Sequence, residues 1–220
     1  MVFEGGTIMQ LTKYDLFGPI HKALRAALFQ TAGEAARADL RDDAQLGALA
    51  ASVRRLVGFL DEHAAHEDAI VLPFVAAHAP DLAATLGGAH EDMERMQKDA
   101  VGLAAALADA VPAERRAAAA ALATALHRLI ATQLEHMDLE EGEAAEVLIT
   151  RYSTEELGAM RARITQAIPP TRAMDLFKLM LPALNPTERA GLLASLEAAL
   201  PPAAMLTLLS AADATREVRS

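Results

Sequence analysis

The chain has 220 residues, is 53% apolar yet only 4% aromatic, and carries a formal net charge of -10. Such a charge has nothing to set against a phosphate backbone and argues against nucleic acid as a partner. Cysteine is absent, which excludes disulfides, iron–sulfur ligation and thiolate zinc sites and leaves nitrogen and oxygen as metal donors.

In chain order, the lead MVFEGGTIMQ lacks a basic n-region and a long apolar h-region. No uncharged apolar span of about 18 residues follows, so no membrane segment is expected and the cytoplasm is the default location. Helix A is expected over Tyr14 to Thr31, with Leu16, Ile20, Leu24 and Leu28 on one face and His21 at its border. Pro19 falls inside this span, and the alternative is a start near Pro19, a tolerated first-turn position. Helix B is expected from Asp42 to His78, with a kink or an end near Pro73. Its seam runs Leu46, Leu49, Val53, Leu56, Leu60, His63, Glu67, Ile70 and Phe74. Helix C is expected from Asp81 to Ala110, with the Gly87–Gly88 pair marking a bend before His90. Its seam includes Leu86, His90, Met93, Gln97 and Ala100. Helix D is expected from Ala113 to Ile149, with Gly142 as a weak point and a seam of Leu122, Leu126, Leu129, Gln133, His136, Glu140, Glu143 and Val147.

From Thr154 the pattern changes to shorter amphipathic segments separated by prolines, expected over Thr154 to Ile168, Thr171 to Leu181, Pro186 to Leu200 and Ala203 to Ala212. Their leucines and methionines need a surface to cover, so the tail is expected to dock on the bundle or on a second subunit. The final ADATREVRS is expected to fray. The expected fold class is all-α: an antiparallel up-and-down four-helix bundle over residues 10–150, with a C-terminal extension of short helices over residues 151–220.

Two segments repeat one arrangement, HAAHE from His63 to Glu67 and HMDLE from His136 to Glu140. A spacing of four places both side chains on nearly the same helix face, and here that face is otherwise apolar. An isolated pair of this kind is usually a satisfied core histidine beside a solvated carboxylate. Repetition within two apolar seams points instead to a metal, because a lone buried charge is expensive to desolvate. His90 lies in the helix C seam with Glu94 four residues on. Glu94 can be a terminal ligand, an acceptor for an imidazole, or a solvated residue paired with Lys98. His21 supplies a wall from helix A. His66, His78 and His127 lie off the seams or at a helix end and are not expected to ligate. Asp61, Glu62 and Asp68 are candidates to hold the outer ring nitrogens of ligating imidazoles.

The inner set is His21, His63, Glu67, His90, His136 and Glu140, with Glu94 as a further candidate. So many nitrogen and oxygen donors exceed the four of a structural zinc and suit two first-row ions sharing carboxylates. Iron fits these donors best, with manganese and zinc as lesser choices. No Glu-x-x-His of the ferritin-like plan occurs.

GPIHKALR, FLDEHAAHEDAIVLP, GGAHEDMERM and LEHMDLEEGE together resemble the hemerythrin-like, HHE cation-binding family over about residues 10–150. The tail is similar to an extension of some bacterial members. The resemblance implies two iron ions, oxo- or hydroxo-bridged, with His21 and His63 on one and His90, His136 and the Glu94 position on the other. Glu67 and Glu140 would bridge them. Oxygen-carrying members place histidine where this chain has Glu94, and an added carboxylate favours ferric iron. The implied function is binding of dioxygen or a related small ligand, in oxygen or redox sensing or in iron handling. The alternatives are a di-iron oxidoreductase acting on peroxide or nitric oxide, which a tyrosine (Tyr14 or Tyr152) near the site would favour, and a metal-ordered regulatory or scaffold protein. A homodimer or protein partner would engage the extension. Leu24, Leu28, Phe59, Leu60, Met93 and Met137 are the expected walls of the ligand pocket.

Overall fold

The computed structural model describes residues 15–199, and every regular element among them is helical. Helix α1 spans Gly18–Arg37, with Pro19 in its first turn. The start is therefore near Pro19 rather than at Tyr14, which lies outside the described residues. The Asp15 carboxylate accepts from the N–H groups of Phe17 and Gly18 at 3.1 and 2.6 Å. A Cβ at Gly18 would meet that carboxylate, which would have to move aside and give up these bonds.

Helix α2 covers Asp43–His66, capped by Asp42, whose side chain accepts from the N–H groups of Ala44 and Gln45. It continues into a wide π-helical stretch, Glu67–Val71, and a short α3, Leu72–Ala76. Helix α4 is Pro80–Asp109 and runs unbroken through Gly87 and Gly88. Helix α5, Arg115–Leu139, enters a second π stretch, Glu140–Ala144, followed by α6, Ala145–Arg151.

These π stretches correct the sequence register. A π turn takes in one more residue than an α turn, so every core position beyond it moves on by one. Phe74 and Val147 are only half-buried and Glu143 is exposed, whereas Val75, Ala144 and Leu148 occupy the core. Burying a side chain such as Val75 or Leu148 is worth about 1.5–3 kcal/mol, enough to fix which neighbour faces inward.

Helix α1 packs on α2 and α5, and α4 packs on both of these, closing a ring of helix contacts. The apolar core is layered along this bundle. One layer joins Phe17, Val71, Val75, Leu86, Ala144 and Leu148. The middle layer contains Leu24, Leu28, Leu56, Leu60, Leu129 and Met137. On α1 and α2 and on their α4 and α5 neighbours, the histidines and glutamates fall between those layers. At the far end, Ala100 and Ala104 of α4 allow close packing against Leu46, Leu49, Leu122 and Leu126.

Three tail helices are described: α7 (Thr154–Ala167), α8 (Pro170–Met180) and α9 (Pro186–Ala199). The expected fourth segment, Ala203 to Ala212, and the final ADATREVRS lie outside the described residues. A reciprocal cap between Ser153 and Glu156 starts α7. Leu157 and Met160 are buried against the first layer, α7 touches the first π stretch, and α8 touches α1. Arg172 of α8 donates from Nε and Nη2 to the two carboxylate oxygens of Glu62 at 2.8 and 3.0 Å and covers the Phe59 ring at 4.9 Å. Lys22 pairs with Glu188 of α9. No helix among the described residues is long and apolar enough to cross a membrane.

Candidate metal centre

Four helical segments each deliver one imidazole to the polar layer, and Glu67 and Glu140 each open a π stretch. His21 and His63 face one another with Nε2 atoms 3.0 Å apart, and His90 and His136 do so at 2.8 Å. Glu67 and Glu140 lie between the two imidazole pairs. Glu67 Oε1 is 3.1 Å from His63 Nε2 and 3.7 Å from His21 Nε2, while its Oε2 is 3.5 Å from His90 Nε2. Glu140 Oε1 is 3.2 Å from His136 Nε2, and its Oε2 is 3.5 Å from His21 Nε2.

The donors form two overlapping groups, His21–His63–Glu67–Glu140 and Glu67–His90–His136–Glu140, each with its donor atoms within 4.8 Å of one another. Donors at right angles around one ion, with bonds of about 2.1 Å, stand about 3 Å apart, and the two imidazole pairs and the His63–Glu67 and His136–Glu140 contacts have that spacing. Both oxygens of Glu67 and both of Glu140 are buried without a hydrogen-bond partner, since the imidazole contacts lack hydrogen-bond alignment. Four unpartnered carboxylate oxygens in a protein interior demand compensation. A bound metal cation would supply it, and the two donor groups are each able to hold one.

The outer ring nitrogens show a second repetition. The residue after each inner glutamate turns away and accepts from an imidazole of another helix: His90 Nδ1 donates to Asp68 at 2.7 Å, and His21 Nδ1 donates to Glu141 at 2.9 Å. These bonds aim each Nε2 at the cluster. Arg25 in turn holds Glu141 at 2.6 Å and Asp138 at 3.2 Å. Among the sequence candidates, Asp68 serves helix α4 rather than its own helix, and Glu62 is engaged by Arg172. Glu141 and Arg25 were missed as partners. The available signal was the acidic doublet itself, Glu67–Asp68 and Glu140–Glu141, repeated after each HxxxE step.

Electrostatics follow this geometry. Burial opposes a charged His21, but the Glu141 hydrogen bond and the inner carboxylates outweigh it and hold the imidazole at about 9. His90 is likewise raised to about 9 by Glu67 and Asp68 against the effect of burial. Burial pushes His63 down to about 4. Glu67, though buried, is held well below the usual carboxylate range by the surrounding imidazoles. Burial and the neighbouring Glu67 charge push Glu140 up. The Glu67 charge thus opposes ionisation of Glu140.

Glu94 is not brought into the cluster. It is 56% exposed, and its carboxylate accepts from Lys98 Nζ at 2.6 Å, while the apolar Met93 takes the inward step. His78 and His127 are exposed and His66 half-buried, and none of the three joins either donor group. Tyr152 donates its hydroxyl to the Phe74 carbonyl at 2.8 Å and is not a site residue.

Two cavities reach the cluster. One, of about 190 Å³, lies beneath the tail, with Phe17, Ile20, Phe59, Ile164 and Leu176 among its walls and His63 and Glu67 at its inner end. The other, of about 320 Å³, reaches His63, Glu67, His90 and His136 past Leu60 and Met93. Of the expected wall residues, Leu24, Leu28 and Met137 are core packing instead. A family model, described as the hemerythrin HHE cation binding domain, matches residues 12–148. No curated protein and no solved structure matches the chain.

Proposed function

The chain belongs to the hemerythrin HHE cation-binding domain family, and from that premise we propose that it is a non-haem di-iron protein that binds dioxygen or a related small ligand. The carrying observation is the set of four buried, unpartnered oxygens of Glu67 and Glu140 between two imidazole pairs. In this reading His21 and His63 would hold one iron and His90 and His136 the other, with Glu67 and Glu140 as the carboxylates available to both. The domain is read as an up-and-down four-helix bundle over residues 10–150, with residues 151–220 as a cover. The closed ring of helix contacts and the α7 and α8 contacts support that division.

Bound iron would supply the one-electron chemistry and the open coordination position that side chains lack. The chain's own residues do the rest. Asp68 and Glu141 fix the tautomers of His90 and His21. The apolar layers above and below leave Glu67 and Glu140 only 3% and 1% exposed. The cavity beneath the tail gives a small uncharged ligand an apolar approach to the His63 side. That cover is the observation favouring sensing over simple carriage, since a change at His63 is one cavity away from α7 and α8. Tail protease sensitivity that ignores metal loading and redox state would count against sensing.

The test is metal analysis of protein purified without added metal, with optical spectra before and after dioxygen. About two irons per chain and an oxo-bridge charge-transfer band are expected. Zinc alone, or no iron after anaerobic reconstitution, would sink the proposal.

A further inference from the structure

The larger of the two cavities has a character unlike its neighbour. Its outer part is lined by Asp61, Asp68, Glu91 and Glu94, and its lining contains no lysine or arginine. Asp61, Glu91 and Glu94 are solvent-exposed. Glu67, only 3% exposed and with both carboxylate oxygens unpartnered, stands at the inner end. Carboxylates thus line the way from solvent to the buried Glu67 carboxylate. The cavity beneath the tail offers a mostly apolar lining instead, with two arginines, Arg161 and Arg172, of which Arg172 is tied to Glu62.

We propose that this acidic cavity is the uptake path for divalent cations, with Asp61 and Glu94 forming a transient outer site from which the ion passes to Glu67. The proposal rests on the metal-binding reading of the inner cluster. A cleft of one charge sign with low-dielectric walls focuses the field and raises the local concentration of counter-ions. Stepwise exchange of water for carboxylate oxygen also avoids stripping a dication in one step. Glu94 is suited to this role by its exposure, and its surface pair with Lys98 is of the weak kind that a passing dication displaces. Lys98 then acts as a brake, since its charge stands beside the mouth and offsets part of the attraction.

A path residue and a ligand leave different kinetic signatures. A group that lowers the barrier along the path speeds uptake and release by the same factor and leaves affinity unchanged. Loss of a ligand weakens affinity and speeds release. The experiment uses the full-length chain, metal-stripped, with cobalt(II) as the probe and uptake followed by stopped-flow absorbance. The paired substitution Asp61→Asn with Glu94→Gln should slow uptake about tenfold at low ionic strength. Release into excess chelator should slow by the same factor, with stoichiometry and affinity retained. The difference should shrink in about 0.5 M salt, where screening is short-ranged. Lys98→Met should accelerate uptake, and Glu146→Gln, an exposed change on α6, should leave it unchanged.

Unaltered rates in the paired variant would overturn the path while leaving the inner site intact. Lower stoichiometry or weaker affinity would make Glu94 or Asp61 a resident ligand and overturn it equally. Equal slowing by Glu146→Gln would reduce the effect to net charge. Failure of the unaltered chain to bind cobalt(II) or ferrous iron would overturn the parent reading, and this one with it.

Discussion

Glu140 is the less comfortable of the two inner glutamates, because burial and the Glu67 charge both oppose its ionisation. Glu140→Gln should therefore have opposite effects on the two forms of the protein. The metal-free chain should gain about 1 kcal/mol, a rise of about 2–4 °C in Tm for a chain of this size. The stabilisation conferred by added ferrous iron should disappear. A lower melting temperature in the metal-free variant would refute the assignment of Glu140 as a strained group. The histidines set the pH response of the metal-free chain. His21 and His90 have folded values of about 9 against the ordinary 6.5, so the stability they lend is complete below 6.5 and lost as pH rises through about 9. His63, lowered to about 4, works oppositely and removes stability as pH falls from 6.5 toward 4. Calorimetry in chelator should show lower melting at both pH 9.5 and pH 4.5 than at pH 6.5, and a flat profile would contradict this. Metal-induced stabilisation should instead grow as pH rises from 6.5 toward 9, because imidazoles must shed protons to ligate. At this scale much was legible: the two HxxxE steps identified the residues that meet. Glu94 was not, because its four-residue step from His90 is shared by a pairing with Lys98, and spacing alone does not choose between inward and outward rotamers.

The two π stretches give the bundle a register that helical periodicity alone did not disclose. The sequence offers adjacent apolar residues at the critical steps, Phe74 beside Val75 and Val147 beside Leu148. Either member satisfies an amphipathic pattern, so the one-residue slip is invisible until the helices pack. Pro73 and Gly142 did mark the right places, but as points of weakness rather than as changes of winding. A π stretch behaves as a one-residue insertion that sequence downstream has absorbed. Deleting Ala69, an exposed residue within the first stretch, should return it to α-helix while Val71 and Val75 keep their core positions. Melting of the metal-free chain should then shift by less than about 3 °C, whereas iron content should fall by half or more because Glu67 is re-aimed. Full iron loading in the deletion variant would show that the π winding is not what positions Glu67. The Gly87–Gly88 pair leaves α4 unbroken: both residues keep helical pairing, and a Cβ at Gly87 would only just touch Leu72.

At the scale of the whole molecule, the extension covers one side of the metal layer. Its need for a surface was legible from its leucines and methionines. Its destination was not, because the Arg172–Glu62 pairing joins residues 110 positions apart. Arg172 is 31% exposed, so solvent screening limits its worth. Arg172→Ala should cost about 0.5–1 kcal/mol through the lost ion pair and the lost contact with Phe59. The clearer readout is limited proteolysis, in which cleavage between α7 and α8 should quicken several-fold while iron stoichiometry stays constant. Unchanged cleavage would mean that Arg172 does not clamp the tail.

The four orphaned oxygens carry a last consequence, for the life of the protein in a cell. A newly made chain reaches its fold with a polar hole at its centre that no side chain fills. Until ions arrive, its native state stands closer to the unfolded one and is opened more often to proteases. If the metal-binding reading holds, abundance should follow ion supply without any change in synthesis. A pulse-chase measurement of its half-life under iron starvation and repletion should show the shorter survival in starved cells, and Glu140→Gln should flatten that difference.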